Sequence, residues 1–330
     1  DTAVVSVLAS GIVTARDYSG PATRAARIVA SVAGQSDTAI VVVAPLAVAS
    51  VALLEDTLQL VQGTAAALTF EARASDGRLL PGRAVTWASS DTARLQVNGS
   101  GALTASAAFL AAPAFATVTA TSEGVSDAAT IAIVSGFELA ENGITVRCPL
   151  AAAGDSGVVE GRTYTKRTRE DLDILVAARE HAAVEASCTS GVTNMSALFA
   201  DTDFDGRIEH WDVSAVTRMD SLFFAALSFN KPLAAWDVRN VTRMDDMFRL
   251  ASRFNQPLGA WDTRSVTDMT RMFSSALAFN QPIGGWNVRN VTSMRAMFQG
   301  ARAFNQPLDA WNVGSVTTMN SMFALALAFD

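Results

Sequence analysis

The segment DTDFDGRIEHWD (201–212) holds an arrangement of side chains that could do chemistry. Asp201, Asp203 and Asp205 stand at positions one, three and five, Gly206 at six, Ile208 at eight and Asp212 at twelve. That is the order in which a calcium loop presents oxygen ligands around a tight glycine turn. The twelfth residue is Asp rather than the bidentate Glu of such loops, and no helical pattern flanks the far side. The same segment has a second reading. Phe204 and Trp211 are separated by seven residues, as are Phe229 and Trp236, so the acids equally suit the corner of a degenerate repeat. Both readings stay open at this point: calcium on Asp201, Asp203, Asp205 and Asp212, or an acidic corner.

Cys148 and Cys188 are the only cysteines, forty residues apart, and the two histidines, His181 and His210, are scattered. Without a CxxC pair no zinc site is expected. Two cysteines flanking one short element suit a disulfide in an oxidising compartment, the alternative being two buried free thiols. No Ser-His-Asp order, phosphate loop or catalytic carboxylate pair can be assembled, so no enzyme is expected and no cofactor beyond the calcium candidate. The glycosylation patterns at Asn98, Asn194, Asn240 and Asn290 read as chance products of repetition.

The elements that hold these residues repeat. Tryptophan recurs at 211, 236, 261, 286 and 311, a period of twenty-five residues, with Val five, Met eight, Phe twelve, Ala fifteen and Phe eighteen positions later (the first copy as Val216, Met219, Phe223, Ala226, Phe229). A short, regular period is the mark of one unit stacked on the next. Steps of three and four from Val to Ala predict a buried helix face, a Val-Thr pair before them a short strand, and Pro232, Pro257, Pro282 and Pro307 a corner. Identical side chains should align into ladders about 4.8 Å apart. Asn230, Asn255, Asn280 and Asn305 should then bond the backbone of the neighbouring copy. What varies is the surface. The third residue after each Trp reads Ser214, Arg239, Arg264, Arg289, Gly314, and the seventh Arg218, Arg243, Asp268, Ser293, Thr318. An arginine column could meet an acidic partner, or pair with Asp237 and Asp262 as a solvated stripe.

A longer repeat occupies the first half. DTAVVSVLASGIVTA (1–15) lies over DTARLQVNGSGALTA (91–105), and Ala26, Ile28 and Ala30 fall on Ala116, Val118 and Ala120. Residues 1–44 therefore read as the second half of a domain whose complete copy is 46–135. That copy alternates apolar and polar residues in short runs bounded by Gly, Pro, Asp or Ser, the pattern of an antiparallel sandwich with Trp87 in its core. The apolar run Ala39–Leu54 is short for a bilayer span and contains Pro45; it reads as strand, linker and strand. Residues 137–188 belong to neither repeat: ITVRCP suggests a strand, DSGVVEGRTYTKR a hairpin at Gly161, and Thr168 the cap of a helix with Leu172, Leu175 and Val176 on one face. The net charge of −7 is spread along the chain, with no basic patch for nucleic acid.

The pieces LQLVQGTAAALT, VTWASSDTA, the G-x-x-T-A segment at 101–105 and ATVTATSEGVSDAATIAIV resemble the bacterial Ig-like group 2 family. FNQPLGAWDTRSVTDMTRMF (254–273) and its copies resemble the BspA-like bacterial surface-protein repeat, which is related to leucine-rich repeats, and NGITVRCP…CTSGVTNMSALF resembles that family's leading segment. The resemblances imply a multidomain chain: an all-β Ig-like sandwich, one partial (1–44) and one complete (46–135), then a cap (137–188) and an α/β leucine-rich-repeat-like solenoid (189–330). Its last copy is expected to be cut short. They also imply an extracellular or cell-surface location, no catalytic residues, and adhesion or contact with a protein or cell-surface ligand. The alternative is a structural or binding accessory region of a larger extracellular enzyme such as a polysaccharide hydrolase.

Overall fold

The computed structural model describes residues 5–15, 22–106 and 113–330. The chain divides into two compact units, Asp1–Ser135 and Gly136–Asp330. In the first, β1 (Val5–Val7) pairs with β2 (Val13–Ala15) and β3 (Arg24–Val32) with β4 (Gln35–Val43). There follow β5 (Ser50–Leu53), β6 (Thr57–Val61), β7 (Ala65–Ala67), β8 (Phe70–Arg73), β9 (Thr86–Ser89), β10 (Leu95–Val97), β11 (Ala102–Ala105), β12 (Ala114–Ser122) and β13 (Val125–Val134). They form a four-stranded sheet in the order β6-β13-β12-β9, a three-stranded sheet β10-β11-β7, and the pair β5-β8. Alternate residues point inward, as the pleat requires: Ala116, Val118 and Ala120 from β12 and Ala129, Ile131 and Ile133 from β13 share one sandwich-like core with Leu60, Leu95 and Leu103.

The ninety-residue internal match reappears in the pairing. Val5 faces Ala15 as Leu95 faces Ala105, and Ala26 faces Val41 as Ala116 faces Ile131. The aligned segments at 1–4 and parts of both copies at 16–21 and 107–112 lie outside the described residues. Within the run Ala39–Leu54, β4 ends at Val43 and β5 begins at Ser50. Among the described residues no helix is long and apolar enough to cross a membrane. Trp87 is half-buried and meets Phe70 edge-on, with ring centroids 5.9 Å apart. Gly101 adopts φ +82°, and a Cβ there would sit 2.7 Å from both the Leu68 carbonyl oxygen and the Trp87 ring, which only glycine avoids.

The second unit opens with β14 (Glu138–Leu139) and β15 (Val146–Arg147), then the hairpin β16 (Ser156–Val159) and β17 (Arg162–Lys166). Glu160 and Gly161 join the hairpin at φ 50° and 75°, the two left-handed residues of a tight primed turn. Two helices follow, α1 (Arg169–Ala177) and α2 (His181–Glu185), before β18 (Ser187–Cys188) pairs parallel with β17. Thr168 and Asp171 close a capping box at the start of α1. Those bonds from Thr168, backbone first, hold the Asp171 carboxyl below its ordinary range. A disulfide joins Cys148 to Cys188, both fully buried. Leu172 and Val184 of the two helices belong to the same core as the repeats that follow.

Those repeats correct the expected fold class. Among the described residues α1 and α2 are the only helices, both precede the repeats, and the chain is otherwise almost wholly β and turn. The α/β leucine-rich-repeat-like solenoid is overturned. The physical reason lies in how the backbone N–H groups are spent. Met219, Ser221, Phe223 and Ala225 donate to the carbonyls of Arg243, Asp245, Met247 and Arg249 in the next copy, at 2.8–3.0 Å. Between them Leu222, Phe224 and Ala226 donate three residues back, to Met219, Ser221 and Phe223. A helix would keep all these bonds internal; here every second one leaves for the neighbour. The turns are made by left-handed residues in each copy, at Ser221 and Ala225, Asp246 and Leu250, Arg271 and Ser275, Ala296 and Gly300, Ser321 and Leu325. Steps of three and four therefore mark successive turns rather than one helix face.

Each copy is thus a helix-free rung. Single parallel bridges link Asn194, Arg218, Arg243, Asp268, Ser293 and Thr318. Inside, Phe223, Phe248, Phe273 and Phe298 stack with centroids 5.4–5.7 Å apart and planes within 7°. Phe229, Phe254, Phe279 and Phe304 form a second column at 6.0–6.2 Å. The indole N–H groups of Trp236, Trp261, Trp286 and Trp311 donate to the carbonyls of Ile208, Leu233, Leu258 and Ile283 at 2.9–3.1 Å.

Candidate contact surface

With the constant columns inside, the outward side chains define what the repeats can touch. Thr217, Thr242, Thr267, Thr292 and Thr317 form one edge, each hydroxyl bonded to the carbonyl of the threonine one rung earlier (Thr193 for the first) at 3.0–3.2 Å. At another, the amide oxygens of Asn230, Asn255 and Asn280 accept the backbone N–H of the next asparagine at 2.9–3.0 Å and the amide of the following glutamine at 2.9 Å. The threonine hydroxyl protons and the asparagine amide oxygens are thus committed to the stack.

The charged columns differ. Arg239 bonds Asp237 at 2.8 Å, and Arg264 grips Asp262 through Nε at 2.9 Å and its terminal nitrogen at 2.6 Å. The Arg264 hydrogen bond holds the Asp262 carboxyl below its usual range, and Asp262 in turn raises Arg264. The solvated-stripe reading of these two rungs is what the structure shows. Further pairs cross between rungs, which the column alignment did not suggest: Arg271 reaches Asp246 at 2.7 Å and Arg243 reaches Asp268 at 3.6 Å. Burial would raise Asp220, but hydrogen bonds from Arg218 and Ser196 overcome it and lower its pKa. In the fourth rung Asn287 stands where Asp237 and Asp262 stand in the second and third, and Arg289 has no carboxylate partner among the described residues.

The calcium arrangement is not formed. Asp203 turns to Arg179 at 3.3 Å and His181 at 3.8 Å. Asp205 holds Lys231 at 2.8 Å and accepts the Asn230 N–H at 3.0 Å, taking the place that asparagine fills in later rungs. Asp212 is buried, its carboxylate bonded by the hydroxyls of Ser190 and Ser214. Asp201 is an exposed left-handed turn residue whose N–H donates to Phe224. Separate partners hold Asp203, Asp205 and Asp212 apart, and among the described residues no group of three His, Cys, Asp or Glu could hold a metal. The segment is the first rung's corner.

Next to it, His210 is buried against the Tyr164 ring, centroids 5.0 Å apart. Burial, with the Arg162 charge adding to it, pushes its pKa down to about 4. Its Nε2 and the indole nitrogen of Trp211 are buried without a protein partner, Trp211 standing where no earlier rung supplies the carbonyl that its four successors use. A cleft of about 510 Å³ runs from Glu141, Asn142 and Arg147 past Trp211 to Arg239 and Asp262.

The rungs stack with most of their outward charges paired. A family model matches them. It is described as "Mycoplasma protein of unknown function, DUF285" and covers residues 175–276 and 233–330. No curated protein matches the chain. Among solved structures, domains 4 and 5 of the S-layer protein SbsC are similar at 18% identity and TM-score 0.25, over 40% of this chain and 66% of that one. Domains 1–6 of the same surface layer protein give 16% and 0.26, over 48% of this chain and 26% of that one. Domains 4–9 give 14% and 0.26, over 49% and 32%. The chain thus spans less than two thirds of each of these proteins, and the fold described above rests on its own geometry.

Proposed function

We propose that the chain is a non-enzymatic secreted or cell-surface protein whose repeat array makes contact with a partner protein or cell-surface ligand. The observation that carries this reading is that the inner rungs bury a recurring set of side chains while exposed positions beside them vary. Trp236, Val241, Met244, Phe248, Ala251 and Phe254 are buried and recur; the positions beside them change from rung to rung and carry the charge. Core constancy with surface variety is how repeat arrays tune recognition without altering their fold. A buried disulfide agrees with an oxidising compartment. The resemblance of the first unit to bacterial Ig-like group 2 domains and of the second to BspA-like surface repeats supports a displayed stalk and contact module.

Trypsin treatment of intact source cells, with the intact mass of the chain purified from untreated cells, tests the location. The reading expects cleavage before lysis and a mass with one disulfide and no free thiol. A chain protected until the cells are broken, with two free thiols, contradicts it.

A further inference from the structure

We infer that the fourth rung carries a carboxylate-binding site centred on Arg289, and that its ligand is an acidic segment of a partner protein. The inference rests on the contact role proposed above and narrows it to one site and one chemistry.

The neighbouring rungs supply the template. In the third, an aspartate two residues before the arginine meets the guanidinium at two points, 2.9 and 2.6 Å, and in the second an equivalent aspartate meets it through Nε at 2.8 Å. In the fourth the backbone turn is kept, since the Arg289 N–H still bonds the Asn287 side-chain oxygen at 3.3 Å as Arg239 and Arg264 bond theirs. Only the carboxylate is missing. Arg289 is exposed and unpartnered in a concavity of about 740 Å³ lined by Asp262, Arg264, Ser265, Asn287, Arg289 and Asn290. Asp262 is already bound to Arg264, so among the residues lining this concavity the Arg289 charge is the one left to be met. The planar fork takes a two-oxygen carboxylate better than a point anion.

The whole rung shares this bias. Residues 286–310 contain Arg289, Arg295 and Arg302 against the single acid Asp309, in a chain of net charge −7. All three arginines are exposed and none has a carboxylate partner among the described residues. The rest of the concavity favours a polypeptide as the carrier of the carboxylate. The Asn290 amide and the Ser265 hydroxyl donate to the carbonyls of Arg264 and Arg239, which leaves their oxygens to accept backbone N–H groups. Exposed arginine at the centre of a polar concavity is a frequent anchor of protein contacts.

Fluorescence anisotropy of the full chain with a labelled alternating Gly-Glu dodecapeptide tests this, with a Gly-Lys peptide and chondroitin sulfate as comparison arms. The Gly-Glu peptide should bind, and Arg289→Ala should weaken it at least tenfold. Asn287→Asp should weaken it as much, because the new carboxylate fills the fork from within. Asn312→Asp adds the same charge in a rung where Gly314 replaces the arginine, and should leave binding unchanged. Equal melting temperatures show that the variants fold. The inference is overturned by no binding to the wild-type chain, by Asn287→Asp binding as the wild type does, by equal weakening at Asn312→Asp, or by preference for chondroitin sulfate. A ligand that contacts the array independently of Arg289 would sink this site and leave the proposed function standing.

Discussion

Gly259 and Gly284 stand where the stack is tightest. A Cβ at either would lie 2.7–2.8 Å from the carbonyl oxygen of the proline one rung on, Pro282 or Pro307. Backbone cannot step aside as a side chain can, so Gly259→Ala should destabilise the unit by about 1–3 kcal/mol, the range for overpacking. Gly285→Ala meets nothing within 4 Å and should be neutral or slightly stabilising; urea melts of the pair decide. The aromatic columns set a larger scale. Phe254→Ala removes a ring stacked on Phe229, Phe248 and Phe279, and should cost about 3–5 kcal/mol in the same melts. His210 gives a pH signature. Folding lowers its pKa from 6.5 to about 4, so between those values the unfolded chain binds a proton that the folded chain refuses. Stability from this source is full above pH 6.5 and falls as pH drops through the window, by about 3 kcal/mol in all. His210→Phe should flatten that part of the curve; an unchanged slope would assign it to other groups.

At the scale of elements, the cap and the rungs show what a sequence reveals. The α1 start was readable because Thr168 and Asp171 carry a side-chain signal, and the β16–β17 hairpin because Gly161 does. The rung interior was not. Apart from Gly300, its left-handed positions hold Ser, Ala, Asp, Leu and Arg, residues with little shared preference for that conformation, held there by bonds to the neighbouring rung. Period alone then suggested a helix, since turns and helices both return a side chain to the core after three or four residues. The Trp, Phe and Asn ladders were legible for the opposite reason: each needs one residue type at one spacing, as the Asn255 bond to Asn230 shows. The disulfide closes a separation of forty residues around the cap. Its removal by Cys148→Ala with Cys188→Ala should lower stability by about 2–4 kcal/mol, and most visibly in the loss of hydrogen-exchange protection at β17 and β18.

Among the described residues of the rungs, most charges are paired, as Arg239 with Asp237, Arg264 with Asp262 and Arg271 with Asp246, and the fourth rung departs from that pattern; net charge and composition could not point to such a site. At 201–212, spacing puts the acids at calcium-loop intervals, whereas the structure engages Asp203, Asp205 and Asp212 with Arg179, Lys231 and two serines separately. Thermal melts with and without calcium should coincide. The central claim is that the array acts by contact through its exposed charge columns while its core only holds them in place. The most direct measurement is binding of the full chain to an array of extracellular proteins and polysaccharides, compared with a variant carrying Arg239→Ala, Arg264→Ala and Arg289→Ala. We expect binding to a protein ligand that the triple variant loses at an unchanged melting temperature. Binding that survives the triple change, or no binding to any ligand, would contradict it.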